Sequence, residues 1–221
     1  MKLILTEEEQ FLKDTAKNFA EERSPITHFR SLRDNSDPIL WDKDMWQEMS
    51  KLGWPGIMIP EEFGGSNFGL SGICVVLQEC AKTLTPSPLF ATGVLGAYAI
   101  NNYGTKEQKE KYLPLIANGK LTTSVAVDES SHHNPNDTLL IAKKSADEFI
   151  LSGKKTFVID GTSSDLLIVL ARTSGEKGDS TGLTLFLIDS NSDGIDRIKL
   201  EMADSRNYAN IIFDNVKISS N

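Results

Sequence analysis

At Gly119 the hydrophobic pattern of this chain changes period, and that change decides what it can fold into. Upstream, apolar residues recur at three- and four-residue spacing; downstream they come in short runs rich in Val, Ile, Thr and Phe, cut by turn signals. A period near 3.6 buries one face as a helix, and a period of 2 buries one face as a strand. Helices followed by strands, rather than alternating with them, point to an α+β chain or two separate domains. We place the boundary near Leu121. This gives an all-α helical domain over residues 1–120 and a small antiparallel β-sandwich or barrel domain over residues 121–221.

The helical half carries its own start signals. Thr6 is followed three residues later by Glu9, and Thr105 by Gln108, the spacing of a capping box. Phe11, Leu12, Ala16, Phe19 and Ala20 form the first stripe, and Ser24-Pro25 reads as its end. Met45, Trp46, Met49 and Leu52 form a second, shorter one. Gly53 to Gly72, "GWPGIMIPEEFGGSNFGLSG", is too rich in Gly and Pro for regular structure. A third helix is expected around Leu70 to Leu84, with Ile73, Leu77, Cys80 and Leu84 inward. A fourth runs from about Pro88 to Asn102 and is apolar nearly all round, so it should be buried on most sides. The fifth starts at Thr105 and ends near Gly119. Trp41, Trp46 and Trp54 are expected in the core. The strand runs are "LTTSVAV", "TLLIAKK", "EFILSGKKTFVI", "DLLIVLART", "GLTLFLID", "GIDRIKLE" and "NIIFDNVKI".

Charge and cysteine content narrow the function classes. The net charge is -8 and no basic block occurs, so wrapping a nucleic-acid backbone is excluded. No apolar run approaches the ~20 residues of a membrane span, and "MKLILTEEEQ" lacks a signal-peptide core. Cys74 and Cys80 lie on one predicted helix and point to different faces, so they are expected to be buried thiols and not a disulfide. A reducing, cytoplasmic setting is the expectation.

"GKKTFVIDGTSSDLLIVLART", Gly153 to Thr173, is less ordinary. Phe157, Val158 and Ile159 are apolar without alternation and end in Asp160-Gly161. From periodicity alone this is a buried strand with Lys154 and Lys155 snorkelling to solvent. Asp160 and Asp165 read as acids that satisfy turn backbone. His132-His133 reads as a polar turn, because adjacent residues diverge on a strand and no metal-ligand spacing surrounds them. "EEFGGSNFGLSG" lacks the lysine of a phosphate-binding loop and follows no strand.

Four of these stretches, in this order, resemble the acyl-CoA dehydrogenase family. "GWPGIMIPEEFGG" is similar to its Pro-Glu-x-x-Gly-Gly segment. "YGTKEQKEKYLPLIANGKLTTSVAVDE" is similar to Gly-Thr-x-x-Gln-Lys-x-x-x-Leu-Pro and the first strand of the β domain. "LSGKKTFVIDG" resembles the Gly-x-Lys-x-aromatic-Ile-x-Asn-Gly strand, and "RNYANIIFDNVKI" the last strand of the middle domain. The resemblance covers essentially the whole chain. "TLTPSPLFATGVL" and "FVIDG" lean toward the bacterial branch that acts on steroid or other bulky acyl thioesters and often pairs unlike subunits.

The resemblance implies FAD-dependent α,β-dehydrogenation of an acyl-CoA. A carboxylate would remove the α-proton while the β-hydride passes to the flavin. It places Val125, Val127 and Asp128 along the flavin's pyrimidine edge, with Asp128 where a neutral hydroxyl is usual. It places Phe157 where a Trp usually stacks, Val158 beside it, and Ile159 where a Thr hydroxyl usually reaches N5. Asn134 is the candidate substrate contact, in the segment where the family's Gly-Ser pair meets cofactor and acyl-CoA. The family's catalytic base sits in a C-terminal helical bundle, so the chain is expected to be a fragment lacking that bundle and inactive alone. No catalytic residue is nominated; Glu61, Glu62, Asp128 and Glu129 qualify by charge only. Electron-transferring flavoprotein is the implied acceptor, and a homo- or heterotetramer the implied assembly. Two alternatives stand beside this: a non-catalytic partner subunit of a heteromeric dehydrogenase, and an acyl-CoA oxidase or flavin monooxygenase on the same fold.

Overall fold

In the computed structural model, residues 4–219 are described. The chain divides into two compact units, Met1–Leu121 and Thr122–Asn221.

The first unit is helical. Helix α1 (Glu7–Arg23) starts on the expected capping box: Glu9 N–H donates to Thr6 Oγ1 at 3.1 Å and Thr6 N–H to Glu9 Oε2 at 2.9 Å. It buries Ala16, Phe19 and Ala20. Ser24-Pro25 ends α1 as expected, with Ser24 as its C-cap, but helix resumes directly after it, unseparated in the sequence reading. Pro25 caps a further helix, α2 (Ile26–Asp34), and its fixed φ of -62° suits a helix entrance. No residue of α2 is fully buried, although Ile26, Phe29 and Leu32 recur at helical spacing. Helix α3 (Lys43–Lys51) is capped by Asp42 and buries Met45, Trp46 and Met49. The Gly- and Pro-rich segment holds two single 3-10 turns, Trp54–Gly56 and Glu61–Phe63, before α4 (Gly69–Lys82).

The expected fourth helix begins with a stretch of π-helix, Phe90–Gly96, that runs into α5 (Ala97–Tyr103). It is less enclosed than its composition implies, since Tyr98 is half exposed. Helix α6 (Lys106–Ala117) starts on the Thr105–Gln108 box. All three tryptophans are buried, and Trp54 meets Phe19 edge-on with ring centroids 4.9 Å apart. Cys80 joins this core, and burial pushes its thiol up to about 12. Cys74, expected to be buried, is exposed, and both cysteines are free. Among the described residues no helix is long and apolar enough to cross a membrane.

The second unit is one sheet of seven strands: β1 (Thr123–Ala126), β2 (Ile141–Ser145), β3 (Glu148–Ile159), β4 (Leu166–Arg172), β5 (Leu183–Asp189), β6 (Ile195–Leu200) and β7 (Tyr208–Ser219). Their order is β1-β4-β2-β3-β7-β6, with β5 on the other edge of β4. The sheet is mixed and not purely antiparallel. Strands β2–β3, β3–β7, β4–β5 and β6–β7 pair antiparallel; β2–β3 is a tight hairpin, whereas β3 and β7 meet from distant parts of the chain. After the β2–β3 hairpin the chain crosses back, so β4 lies parallel to β1, from Thr123↔Leu166 to Ala126↔Val169. Strand β2 touches the same edge of β4 at Ile141↔Arg172.

One face of the sheet closes on a core of Ala126, Leu151, Val158, Val169, Ile211 and Phe213 with their neighbours. The guanidinium of Arg172, 5% exposed, ties the connections around it together. It donates to the carbonyls of Thr138 (3.0 Å), Asn136 (2.8 Å) and Thr181 (3.1 Å).

Candidate functional site

Strand β3 carries a bulge that turns its surface over. Leu151 and Lys155 are buried on one face at even spacing, yet Val158, three residues on, is buried as well. The register against β7 slips between Lys155 and Val158, and Phe157 there has a left-handed φ of 51°. An extra residue in one strand reverses which side chains face in. Val158 therefore belongs to the core at 1% exposure, and its side chain does not face a ligand. The Phe157 ring is 44% exposed and Ile159 half-buried. A bulky residue at positive φ is strained by about 1–3 kcal/mol, and such strain clusters at ligand sites.

The exit of β1 lies against this bulge. Thr156 N–H donates to Asp128 O at 2.8 Å. Val125, on β1, and Val127, just past it, are half-buried. The lysine pair splits: Lys154 is exposed, while Lys155 does not snorkel and is 0% exposed. Its ammonium donates to Val127 O at 2.9 Å and to Glu129 Oε1 at 2.8 Å. Glu129 in turn accepts from Leu139 N–H (2.8 Å) and Leu140 N–H (2.9 Å). Burial lowers the Lys155 pKa, and the Glu129 carboxylate beside it works against that shift. Neither the pairing nor the burial shows in sequence, because Glu129 lies past the end of β1, 26 residues from Lys155, and Lys154 disguises which lysine is inside.

Asp128 pairs through Oδ1 with His133 Nδ1 at 2.9 Å, so the two adjacent histidines do not act together. His132 contacts Ser131, and the described residues contain no group of side chains placed to hold a metal ion. Asn134 is exposed, and its side chain accepts from Asn136 N–H at the start of a single 3-10 turn. Together with Glu129, His132 and Lys177 it borders a cavity of about 90 Å³. Ligand pockets run to about 300–1,000 Å³, so this hollow does not take a flavin or a thioester. Glu61 and Glu62 stand exposed on their 3-10 turn.

The two turn acids differ. Asp165 accepts a backbone amide, though not in its own turn: its Oδ2 accepts both Thr122 N–H and Thr122 Oγ1–H at 2.8 Å, just ahead of β1. Asp160 is 3% exposed, its Oδ2 has no hydrogen-bond partner, and the nearest cation, Arg206, is 3.7 Å away. Burial pushes its carboxyl up to about 7, with Arg206 acting in the opposite sense.

Residues 6–120 match the acyl-CoA dehydrogenase N-terminal domain, and residues 127–216 match the acyl-CoA dehydrogenase middle domain. The chain belongs to the acyl-CoA dehydrogenase family. It is 30% identical over 206 residues to an acryloyl-CoA reductase (NADH) of Anaerotignum propionicum, covering 91% of this chain and 51% of that protein. It is 29% identical over 226 residues to the mouse mitochondrial long-chain specific acyl-CoA dehydrogenase, covering 99% and 51%. The solved structure of an acyl-CoA dehydrogenase from Geobacillus kaustophilus superimposes with a TM-score of 0.86 at 26% identity, covering 100% of this chain and 58% of that one. The chain spans about half the length of the curated relatives it matches.

The family implies a flavin. At the β3 bulge the Phe157 ring is exposed in left-handed backbone, with Val127 and Ile159 half-buried, so an apolar surface is there for a ring system to meet.

Proposed function

We propose that the protein acts, with FAD, on the Cα–Cβ bond of an acyl-CoA thioester, as an α,β-dehydrogenase or in the reverse, reductive sense. The observation that carries this reading is the Phe157 ring, held solvent-facing in left-handed backbone beside the exit of β1. FAD, when bound, supplies the acceptor for the β-hydride. Phe157 is then its aromatic platform, with Ile159 and Val127 extending the apolar wall. The backbone of Val125 to Asp128 meets the pyrimidine edge, and the Val158 side chain anchors the wall to the core. Asn134 is kept as the candidate substrate contact on the family resemblance alone, since its side-chain oxygen already accepts Asn136 N–H. None of the four acids is assigned as base: Glu129 is engaged by Lys155, Asp128 by His133, and Glu61 and Glu62 stand in solvent. An electron-transferring flavoprotein as acceptor, a tetrameric assembly and a cytoplasmic setting complete the proposal.

A second reading, a partner subunit that leaves its own flavin wall empty, is favoured by two particulars. Ile159 has no hydroxyl to donate, and Asp128 brings a charge to the pyrimidine edge.

The visible spectrum of the full-length protein as purified, with any partner subunit present, separates the two. A flavin band that bleaches anaerobically with butyryl-CoA or a steroid side-chain thioester supports the dehydrogenase, and the better of the two reports the acyl class. A colourless protein that takes up no added FAD sinks that reading. Hydrogen peroxide release in air marks an oxidase. Ile159→Thr restores a hydroxyl worth about 1 kcal/mol, so it is expected to tighten FAD about fivefold, read by titration of flavin fluorescence. An unchanged affinity removes Ile159 from the flavin wall.

A further inference from the structure

Lys155 and Glu129 form a buried ion pair with side chains 0% and 12% exposed, and it joins three segments that are far apart in sequence. Lys155 lies on β3 immediately before the bulge. Its ammonium reaches the exit of β1 twice, at Val127 O and at Glu129 Oε1. Glu129 carries the link onward to the Leu139 and Leu140 amides, ahead of β2. The two wall-forming pieces, Val127–Asp128 and Phe157–Ile159, otherwise meet through the Thr156 N–H to Asp128 O bond.

Hydrophobic residues of similar volume often stabilise a site as well as a buried ion pair does, so a pair of this kind is poorly explained by stability alone. What it adds is direction. A charged donor and acceptor fixed at 2.8 Å admit one spacing between the strands, whereas packed methylenes admit several. The bulge makes such a constraint necessary, because the ladder to β7 is interrupted between Lys155 and Val158 and no longer fixes where Phe157 stands.

We propose that Lys155 and Glu129 are positioning residues, which set the spacing between the exit of β1 and the β3 bulge and thereby seat the flavin. The inference rests on the flavin reading above. It concerns how the wall is held, not which groups touch the cofactor.

The test uses the full chain and added FAD. Lys155→Met alone strands the Glu129 charge, so the informative variant combines it with Glu129→Gln. That removes both charges and keeps one side-chain oxygen for the Leu139 and Leu140 amides. A second variant, Glu129→Asp, keeps the charge pair and shortens its reach by one methylene. The double variant is expected to retain the near-ultraviolet circular dichroism of the folded chain. Its FAD affinity is expected to fall tenfold or more, with the bound flavin losing its visible circular dichroism. Glu129→Asp is expected to alter that visible dichroism with a smaller loss of affinity. A folded double variant with the affinity and flavin dichroism of the parent overturns the inference while leaving the flavin reading intact. If the double variant does not fold, Glu129→Asp decides: unchanged dichroism and affinity overturn the inference equally. Should the parent chain take up no FAD, the flavin reading falls and the positioning role falls with it.

Discussion

Replacing Asp160 by asparagine is expected to stabilise the β unit by a few kcal/mol at pH 8 and to change little near pH 4. In the folded chain burial raises the Asp160 carboxyl to about 7, from an ordinary value of 3.8. Between those values the folded state keeps a proton that the unfolded state releases. Stability therefore falls as pH rises from about 4 toward 7, and stays reduced above that. A rise of that size corresponds to roughly 4 kcal/mol. Arg206, at 3.7 Å, draws the value down without offsetting the burial. Asparagine carries no charge to bury, and it tolerates the left-handed φ of 55° found at this position. It is also the residue that the family resemblance places before the glycine. Thermal melts of parent and D160N from pH 4 to pH 8 should converge at the acid end. They should diverge by about 15 °C or more at the alkaline end, since about 1 kcal/mol shifts the midpoint of a unit of this size by roughly 4–8 °C. Parallel curves across that range would show that Asp160 is ionised in the folded state at no cost.

The second large effect is expected at Gly65. A Cβ on this residue would fall inside the Ile59 carbonyl and lie 2.6 Å from Gly56 O. Both are backbone atoms already tied into the turn, Ile59 O accepting Asn67 N–H (2.9 Å) and Gly56 O accepting Ser66 N–H (3.0 Å). No side-chain rotation relieves such an overlap, so Gly65→Ala should cost about 3 kcal/mol or more, at or beyond the top of the usual overpacking range. Gly64→Ala next to it meets open space, and the strain there comes only from its φ of 83°. That change should cost about 1 kcal/mol. Urea denaturation followed by tryptophan emission reads the helical unit directly, since Trp41, Trp46 and Trp54 all lie in it. Equal midpoints for the two variants would mean that the turn opens to admit a methyl group.

The parts of the fold that are legible in sequence are those set by neighbours in the chain. Both capping boxes depend on residues three apart, and β3 spans the run "EFILSGKKTFVI" from end to end. Helix α2 is hidden because it is short and begins at a proline that reads as a stop. The parallel pairing of β1 with β4 is hidden because an alternating strand shows which face is buried but not which strand lies beside it.

At the site, the aromatic position 157 is visible in sequence and the reason for its exposure is not. An unbroken period of 2 puts Lys155 and Phe157 on one face; only the bulge sends the first inward and the second out. The ammonium of Lys155 has its acceptor on the exit of β1, a relation that no local window contains. Asp160 and Asp165 look alike in sequence. They differ because Thr122 reaches one of them and no hydrogen-bond donor reaches the other's Oδ2.

The position of β7 in the sheet has a kinetic consequence. Strand β7 is the last of the seven to leave the ribosome, yet it lies inside the sheet, between β3 and β6, with partners from Ile159↔Tyr208 back to Glu148↔Ser219. Its Ala209, Ile211, Phe213 and Val216 make up a large part of the β core. Until those residues emerge, the inner face of β3 has no neighbour on that side. The whole helical unit has emerged before any strand does, and its individual helices form on local bonds, which close faster than distant strand pairings, so it should be formed by then. During synthesis the cell thus holds a finished helical unit attached to an open sheet. That interval, with an unpaired strand edge exposed, is when the chain is most open to aggregation or to capture by a chaperone.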